Sequence, residues 1–189
     1  MAIRDRVTPA DVPRSPVVLL LVDFINPLTF EGAELLAPAA VEAAKACVAL
    51  RCRAREQGIQ TIFANDNYGV WHSDFGDVWR ACRHGNPAAA AIAGLLKPRP
   101  VDFTILKPRH SAFYATPLAL LLSQLRCKRL IVAGLATDNC VLFTAMDAYV
   151  HGYALWVPQD CTAAESVDAK HGALAHMRRV LKAETRPAN

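Results

Sequence analysis

Three stretches of the chain are continuous apolar runs rather than alternating ones: Val17 to Val22, Phe103 to Leu106 and Leu130 to Ala133. A strand with one wet face alternates, whereas a strand covered on both faces does not, so these runs predict buried parallel strands. Gln60 to Ala64 and Ala154 to Val157 read as weaker strands of the same kind. Between them lie stretches with helical character. Glu34 to Gln57 is Ala-rich and ends at Gly58, a natural C-terminal stop. Thr116 to Arg126 opens with Thr-Pro, a cap and first-turn pair. Asn139 to His151 stops at Gly152, and Ser166 to Lys182 forms the last helix. The alternation predicts a three-layer α/β/α domain, doubly wound around a mainly parallel sheet of five to six strands, Rossmann-like in its organisation. Residues 1–16 read as an N-terminal arm and residues 17–189 as a single domain. The stretch Asp66 to Pro100 breaks the pattern. It is rich in Gly, Asn, Trp and His, and reads as loops with one short helix over Pro87 to Leu96.

Composition narrows the class. With 53% hydrophobic residues over 189 positions, the chain has enough apolar material for a packed core and is not intrinsically disordered. The net charge of +4 is a mild excess. Its densest groups, Arg51, Arg53 and Arg55, then Arg178, Arg179 and Lys182, read as solvated helix faces. No aromatic residues are interleaved with them, so a single-strand nucleic-acid binder is disfavoured. The six cysteines form no CxxC pair, which leaves zinc ribbons and thioredoxin-type motifs unsupported. The opening MAIRDRVTPADVPR has no apolar leader core, and Val17 to Val22 is too short to span a bilayer. The expectation is a cytoplasmic protein with reduced thiols, binding neither nucleic acid nor membrane.

Open parallel sheets bind ligands beyond the carboxyl ends of their strands. The polar residues at those ends are Asp23, the Asn65-Asp66-Asn67 triplet, Lys107, and the segment Gly134-Leu135-Ala136-Thr137-Asp138-Asn139-Cys140. An acid, a cation and a thiol are thus delivered to one edge of one sheet. Cys140 is expected to open a helix, so the first N–H groups and the macrodipole should favour its thiolate, with Lys107 as the neighbouring cation. Asp23 can take the thiol proton and pass it to a leaving group, and the turn before Cys140 can supply an oxyanion hole. Each signal alone has a plain structural reading: a packed cysteine, a turn aspartate, a solvated lysine. The combination is stronger than its parts.

The segments LLLVDFINP, ILKPRHSAFYATPL and LIVAGLATDNCVLFTAMDAYVHGY resemble the isochorismatase-like cysteine hydrolases, the superfamily that includes nicotinamidases, N-carbamoylsarcosine amidases and isochorismatases. The resemblance implies a catalytic triad of Asp23, Lys107 and Cys140. It also implies a cis peptide at Leu135–Ala136 that turns the Ala136 N–H toward an oxyanion beside the Cys140 N–H. The implied chemistry is thiolate attack on a carbonyl, a thioester acyl-enzyme, release of ammonia or an amine, and hydrolysis. The family's metal-binding members carry Asp-x-His after the second strand. Here Tyr68 stands at the histidine position, and Asp66 with His72 makes a poor metal site, so no metal and no cofactor are expected.

Expected pocket walls are Phe24, Asn26, Trp71, Phe113 and Tyr114, with Asn67, Arg109 and His110 as polar readers of a small-molecule substrate. Arg109 can grip a carboxylate bidentately. His151, His171 and His176 read as structural or solvated, and the other five cysteines as packing residues, with Cys161 the nearest of them to a crevice. Family members are usually homo-oligomers. Two other readings compete with the amide hydrolase: an isochorismatase-type ether or ester hydrolase, and a catalytically silent partner module.

Overall fold

The computed structural model describes residues 12–189, and the part of the N-terminal arm before residue 12 lies outside the described residues. Five strands form one parallel path in the order β3-β2-β1-β4-β5, with β1 Val17–Val22, β2 Gln60–Asp66, β3 Phe103–Lys107, β4 Arg129–Leu135 and β5 Ala154–Trp156. A sixth strand, β6 Thr162–Ala163, pairs with the end of β4. The residues before β1 are already docked: Ser15 N–H donates to the Leu125 carbonyl and the Lys128 N–H to that of Pro16.

Side-chain alternation along the buried strands sorts the core into two layers. Leu19, Leu21, Phe63, Ile131 and Ala133 face α1 Ala33–Glu56, α2 Phe75–Arg83 and α3 Pro87–Leu95. Val18, Leu20, Val22, Ile62, Leu130 and Val132 face α4 Leu118–Gln124, α5 Leu142–Val150 and α6 Val167–Val180. The small residues Ala40, Ala43, Ala44 and Cys47 line the buried face of α1 and let it lie close to the sheet. Three helices on each face is the doubly wound arrangement that the continuous apolar runs predict. No helix among the described residues is long and apolar enough to cross a membrane.

Several expectations are corrected. The stretch from Asp66 to Pro100 holds two helices instead of one. The additional helix, α2, is nucleated by a reciprocal cap: Asp74 accepts from the Asp77 N–H, and the Asp77 carboxylate accepts from that of Asp74. The helix expected from Asn139 begins at Leu142, because Asn139 sits at φ −125°, ψ −106° within a wide turn over Thr137–Val141. Arg51 does not belong to a solvated face. It is buried, donates to the Asp102 carboxylate and the Lys97 carbonyl, and lies over the Phe63 ring, so it ties α1 to the chain entering β3. All six cysteines are unpaired, Cys47, Cys82, Cys127 and Cys161 being buried among apolar neighbours.

One glycine is dictated by close packing. Gly134 pairs in register with Val22 and has φ +141°, and a Cβ there would lie 1.9 Å from the Val22 carbonyl oxygen. The neighbour is backbone in the centre of the sheet, so nothing can yield. Gly134→Ala is therefore expected to lower stability by about 4 kcal/mol or more. For a chain of this size that is a fall in Tm of roughly 10 °C or beyond. A thermal melt within two or three degrees of the parent would show that the β1–β4 approach is not as close as described.

Candidate active site

The carboxyl ends of β1, β2, β3 and β4 converge on one edge of the sheet, and three side chains meet there. Lys107 is the last residue of β3 and has no exposed surface. Its Nζ lies 2.8 Å from Asp23 Oδ2, 3.5 Å from Cys140 Sγ and 3.0 Å from the Arg109 carbonyl oxygen. Asp23 follows β1 directly in a left-handed conformation, φ 50°, and its Oδ1 accepts from the Asp66 N–H at 2.7 Å. A second carboxylate, Asp66, stands 3.7 Å from the ammonium and is about a third exposed. Cys140 lies in the wide turn after β4, between the buried triad edge and solvent. The peptide bond Leu135–Ala136 is cis.

Burial and charge set the protonation states. Burial pushes the Asp23 carboxyl up, against the opposing pull of the Lys107 charge. Burial pulls Lys107 down, but the nearby negative charge, that of Asp23 foremost, outweighs it, so the amine stays an ammonium with a raised pKa. Burial and the Asp23 charge push the Cys140 thiol up to about 12, and Lys107 only partly offsets them. The helix that was to supply its dipole starts two residues later, and the carboxylate counts for more than the ammonium. Burial thus favours the thiol form of Cys140.

The proposed pocket residues separate into distinct groups. Phe24 is fully buried in the core against α1 and belongs to the packing. Phe113 is also buried, its ring stacked on His151 at 4.9 Å between centroids. Asn26 accepts from the Leu28 N–H and Asn67 from the Gly69 N–H, so both carbonyl ends shape turns. Asn67 also borders a cavity of about 290 Å³ with Pro27, Tyr68, Val70, Val78 and Cys82. Trp71 and Tyr114 are largely exposed, and Trp71 is outside that cavity's lining. Arg109 reaches the site through its backbone carbonyl. His110 is brought to the sulfur, its Nδ1 lying 3.7 Å from Cys140 Sγ.

Other members of the site were not picked out from the sequence. The Tyr68 hydroxyl donates to the Ile25 carbonyl at 3.1 Å, which places the ring across the end of β1. Burial and the charge of Asp23 push its ionisation far above the usual tyrosine range, so it stays a neutral phenol. Ser111 donates to Asp147, and the Ala112 N–H donates to Thr144 Oγ1 at 3.0 Å, which clamps the loop after Lys107 onto α5. The adjoining Ser-Ala of RHSAF was the available sign of such a turn. Among the described residues no three His, Cys, Asp or Glu side chains gather in a metal-holding group.

Residues 17–186 match the isochorismatase domain family. An uncharacterized isochorismatase family protein of Bacillus subtilis, YaaI, is 37% identical over 166 residues, covering 88% of this chain and 91% of that one. Maleamate amidohydrolase of Pseudomonas putida is 33% identical over 150 residues, covering 76% of this chain and 70% of its own length. The crystal structure of nicotinamidase PncA from Bacillus subtilis is similar with a TM-score of 0.72 at 26% identity, covering 90% of this chain and 99% of that one.

Removing one partner of a buried ion pair leaves the other charge unmet, at a cost of about 3–5 kcal/mol. Lys107→Met is expected to lose about that much in denaturant unfolding, because the Asp23 carboxylate stays buried. Combining it with Asp23→Asn should recover a substantial part. Additive losses in the double variant would mean that the two groups do not pair.

Proposed function

The chain belongs to the isochorismatase family of hydrolases, and on that footing we propose that it is a cysteine-dependent amidohydrolase cleaving a small amide or related C–N bond. The observation that carries the proposal is the single buried ammonium of Lys107, within 2.8 Å of a carboxylate and 3.5 Å of a thiol. A thiol, a proton acceptor and a fixed positive charge at that spacing are the parts of nucleophilic acyl transfer. The 33% identity to a maleamate amidohydrolase supports the amide over the ether.

Cys140 Sγ attacks the substrate carbonyl carbon while its proton passes to the Asp23 carboxylate. The carbonyl oxygen becomes an oxyanion, received by the backbone N–H groups of Ala136 and Cys140. The C–N bond then breaks, and Asp23 returns the proton to the departing nitrogen, which leaves as ammonia or an amine. Water attacks the thioester, again giving a proton to Asp23, and the sulfur departs and recovers it. Lys107 remains an ammonium throughout. It holds Asp23 in position and stabilises the negative charge as it moves from carboxylate to sulfur. Net charge in the buried cluster is unchanged by the first proton transfer, which keeps the step accessible in a low-dielectric setting.

Cys140→Ala is expected to abolish release of ammonia or amine from a panel of small amides and ureides, with the far-ultraviolet circular dichroism unchanged. Retained turnover, especially on a vinyl ether or ester, would favour the isochorismatase-type reading. The pH dependence follows from the direction of the Asp23 shift. Asp23 must be ionised to accept the proton, and burial raises it, so kcat/KM should fall on the acid side with a midpoint above the ordinary value of 3.8. The thiol, pushed up to about 12, sets no alkaline limb in the usual assay range. An acid midpoint at or below the ordinary carboxylate value would remove Asp23 as the base.

A further inference from the structure

Asp23 and Lys107 occupy the buried side of Cys140, and His110 occupies the open side. Its Nδ1 stands 3.7 Å from Sγ, within reach of a sulfur hydrogen bond. The ring does not hang free. It lies against the Phe143 ring of α5, with centroids 5.3 Å apart and planes inclined by 34°. The backbone on either side of His110 is pinned as well. The Arg109 carbonyl accepts from Lys107 Nζ, Ser111 Oγ bonds Asp147 and accepts from the Phe113 N–H, and the Ala112 N–H bonds Thr144. An imidazole is thus held against the sulfur by one ring contact and four hydrogen bonds of the adjoining chain, on the exposed side of Cys140.

An exposed histidine has no packing reason to be fixed in this way. The charged and titratable groups near the sulfur are Asp23 from β1, Asp66 and Tyr68 at the end of β2, Lys107 from β3, and His110. Asp147 of α5 is taken up by Ser111. Of these, Asp23 and His110 are the two that can receive the thiol proton. Lys107 is already an ammonium, Tyr68 a neutral phenol, and Asp66 turns its two oxygens to the Tyr68 N–H and Lys107 Nζ, whereas Asp23 also bonds the sulfur.

We propose that His110 is a further catalytic residue, a second proton acceptor for the Cys140 thiol on its solvent side. As Sγ forms its bond to an electrophilic carbon, the S–H proton passes to Nδ1, giving an imidazolium. That imidazolium can hand the same proton to the departing nitrogen without its passing through the buried carboxylate. The two acceptors divide the work: Asp23 beside the ammonium inside, His110 beside the leaving group outside. The proposal takes Cys140 as the nucleophile, as the reading above does.

Its test is independent of turnover. Iodoacetamide alkylation of Cys140 forms an S–C bond, expels iodide and releases the thiol proton, so its rate at neutral pH reports the proton acceptor next to the sulfur. Site-resolved mass spectrometry should show labelling of Cys140 about tenfold or more slower in both His110→Gln and His110→Phe than in the parent. These variants keep a side chain over the sulfur without a base. Added imidazole should restore labelling in His110→Ala and leave the parent unaffected. Equal or faster labelling in the Gln and Phe variants, or no rescue by imidazole, would show that His110 only covers the thiol, and the proposal would fall. Loss of the amidohydrolase reading would appear elsewhere, as turnover retained by Cys140→Ala.

Discussion

An ammonium without exposed surface persists only where negative charge meets it at close range. Lys107 is such a group, and much of the site follows from its needs. Asp23 meets it at 2.8 Å, Asp66 adds a second, more distant carboxylate, and the Arg109 carbonyl takes another N–H direction. Asp23 is in turn fixed by the Asp66 N–H from the neighbouring strand. The sulfur of Cys140 is the remaining neighbour. Burial and the Asp23 charge push that thiol up, and in the proposed mechanism one proton moves within a constant total charge.

The sheet makes that matching possible. Asp23, Asp66 and Lys107 come from the ends of three adjacent parallel strands, and Cys140 from the turn after a fourth. Parallel strands bring their carboxyl ends to one edge, so side chains far apart in the chain need no long loops to meet. Gly134 lets β4 approach β1 without a side chain between them. The helices on the two faces serve the site unequally. α1, α2 and α3 provide bulk against one face, whereas α5 also grips the loop that carries His110.

Much of this was legible in the residues. Continuous apolar runs identify β1 and β4 because burial on both faces erases alternation, whereas β3, read as buried in the same way, is an edge strand of the sheet and leaves Thr104 exposed; the polar residues that end these strands are the ones that meet. What was hidden depended on direction or distance. Phe24 looks like a pocket wall beside Asp23, but the left-handed turn at Asp23 sends it into the core. Phe113 is claimed by His151, a partner far along the chain. α2 escaped although Phe75, Val78 and Cys82 stand at helical spacing, because it is only nine residues long within a Gly- and Asn-rich stretch, and β6 is only two residues long. Near Cys140 the sequence offers one carboxylate and one ammonium without saying how deeply they are buried, and it is burial that pushes the thiol up. Asn139 bends the backbone where a regular helix was expected, and no residue preference announces that.

The pairing of β1 with both β2 and β4 has a consequence for biosynthesis. The strand that bears Asp23 emerges from the ribosome early, and the segment bearing the sulfur much later. Contacts of such long sequence separation form slowly, after the loops between them have closed. A nascent chain that has made only its first three strands has the pairings that bring Asp23 and Lys107 to one edge, yet it holds no thiol beside them. The full cluster therefore arrives only with the zipping of β4 along β1, so an incompletely synthesised or partly unfolded chain lacks the assembled centre.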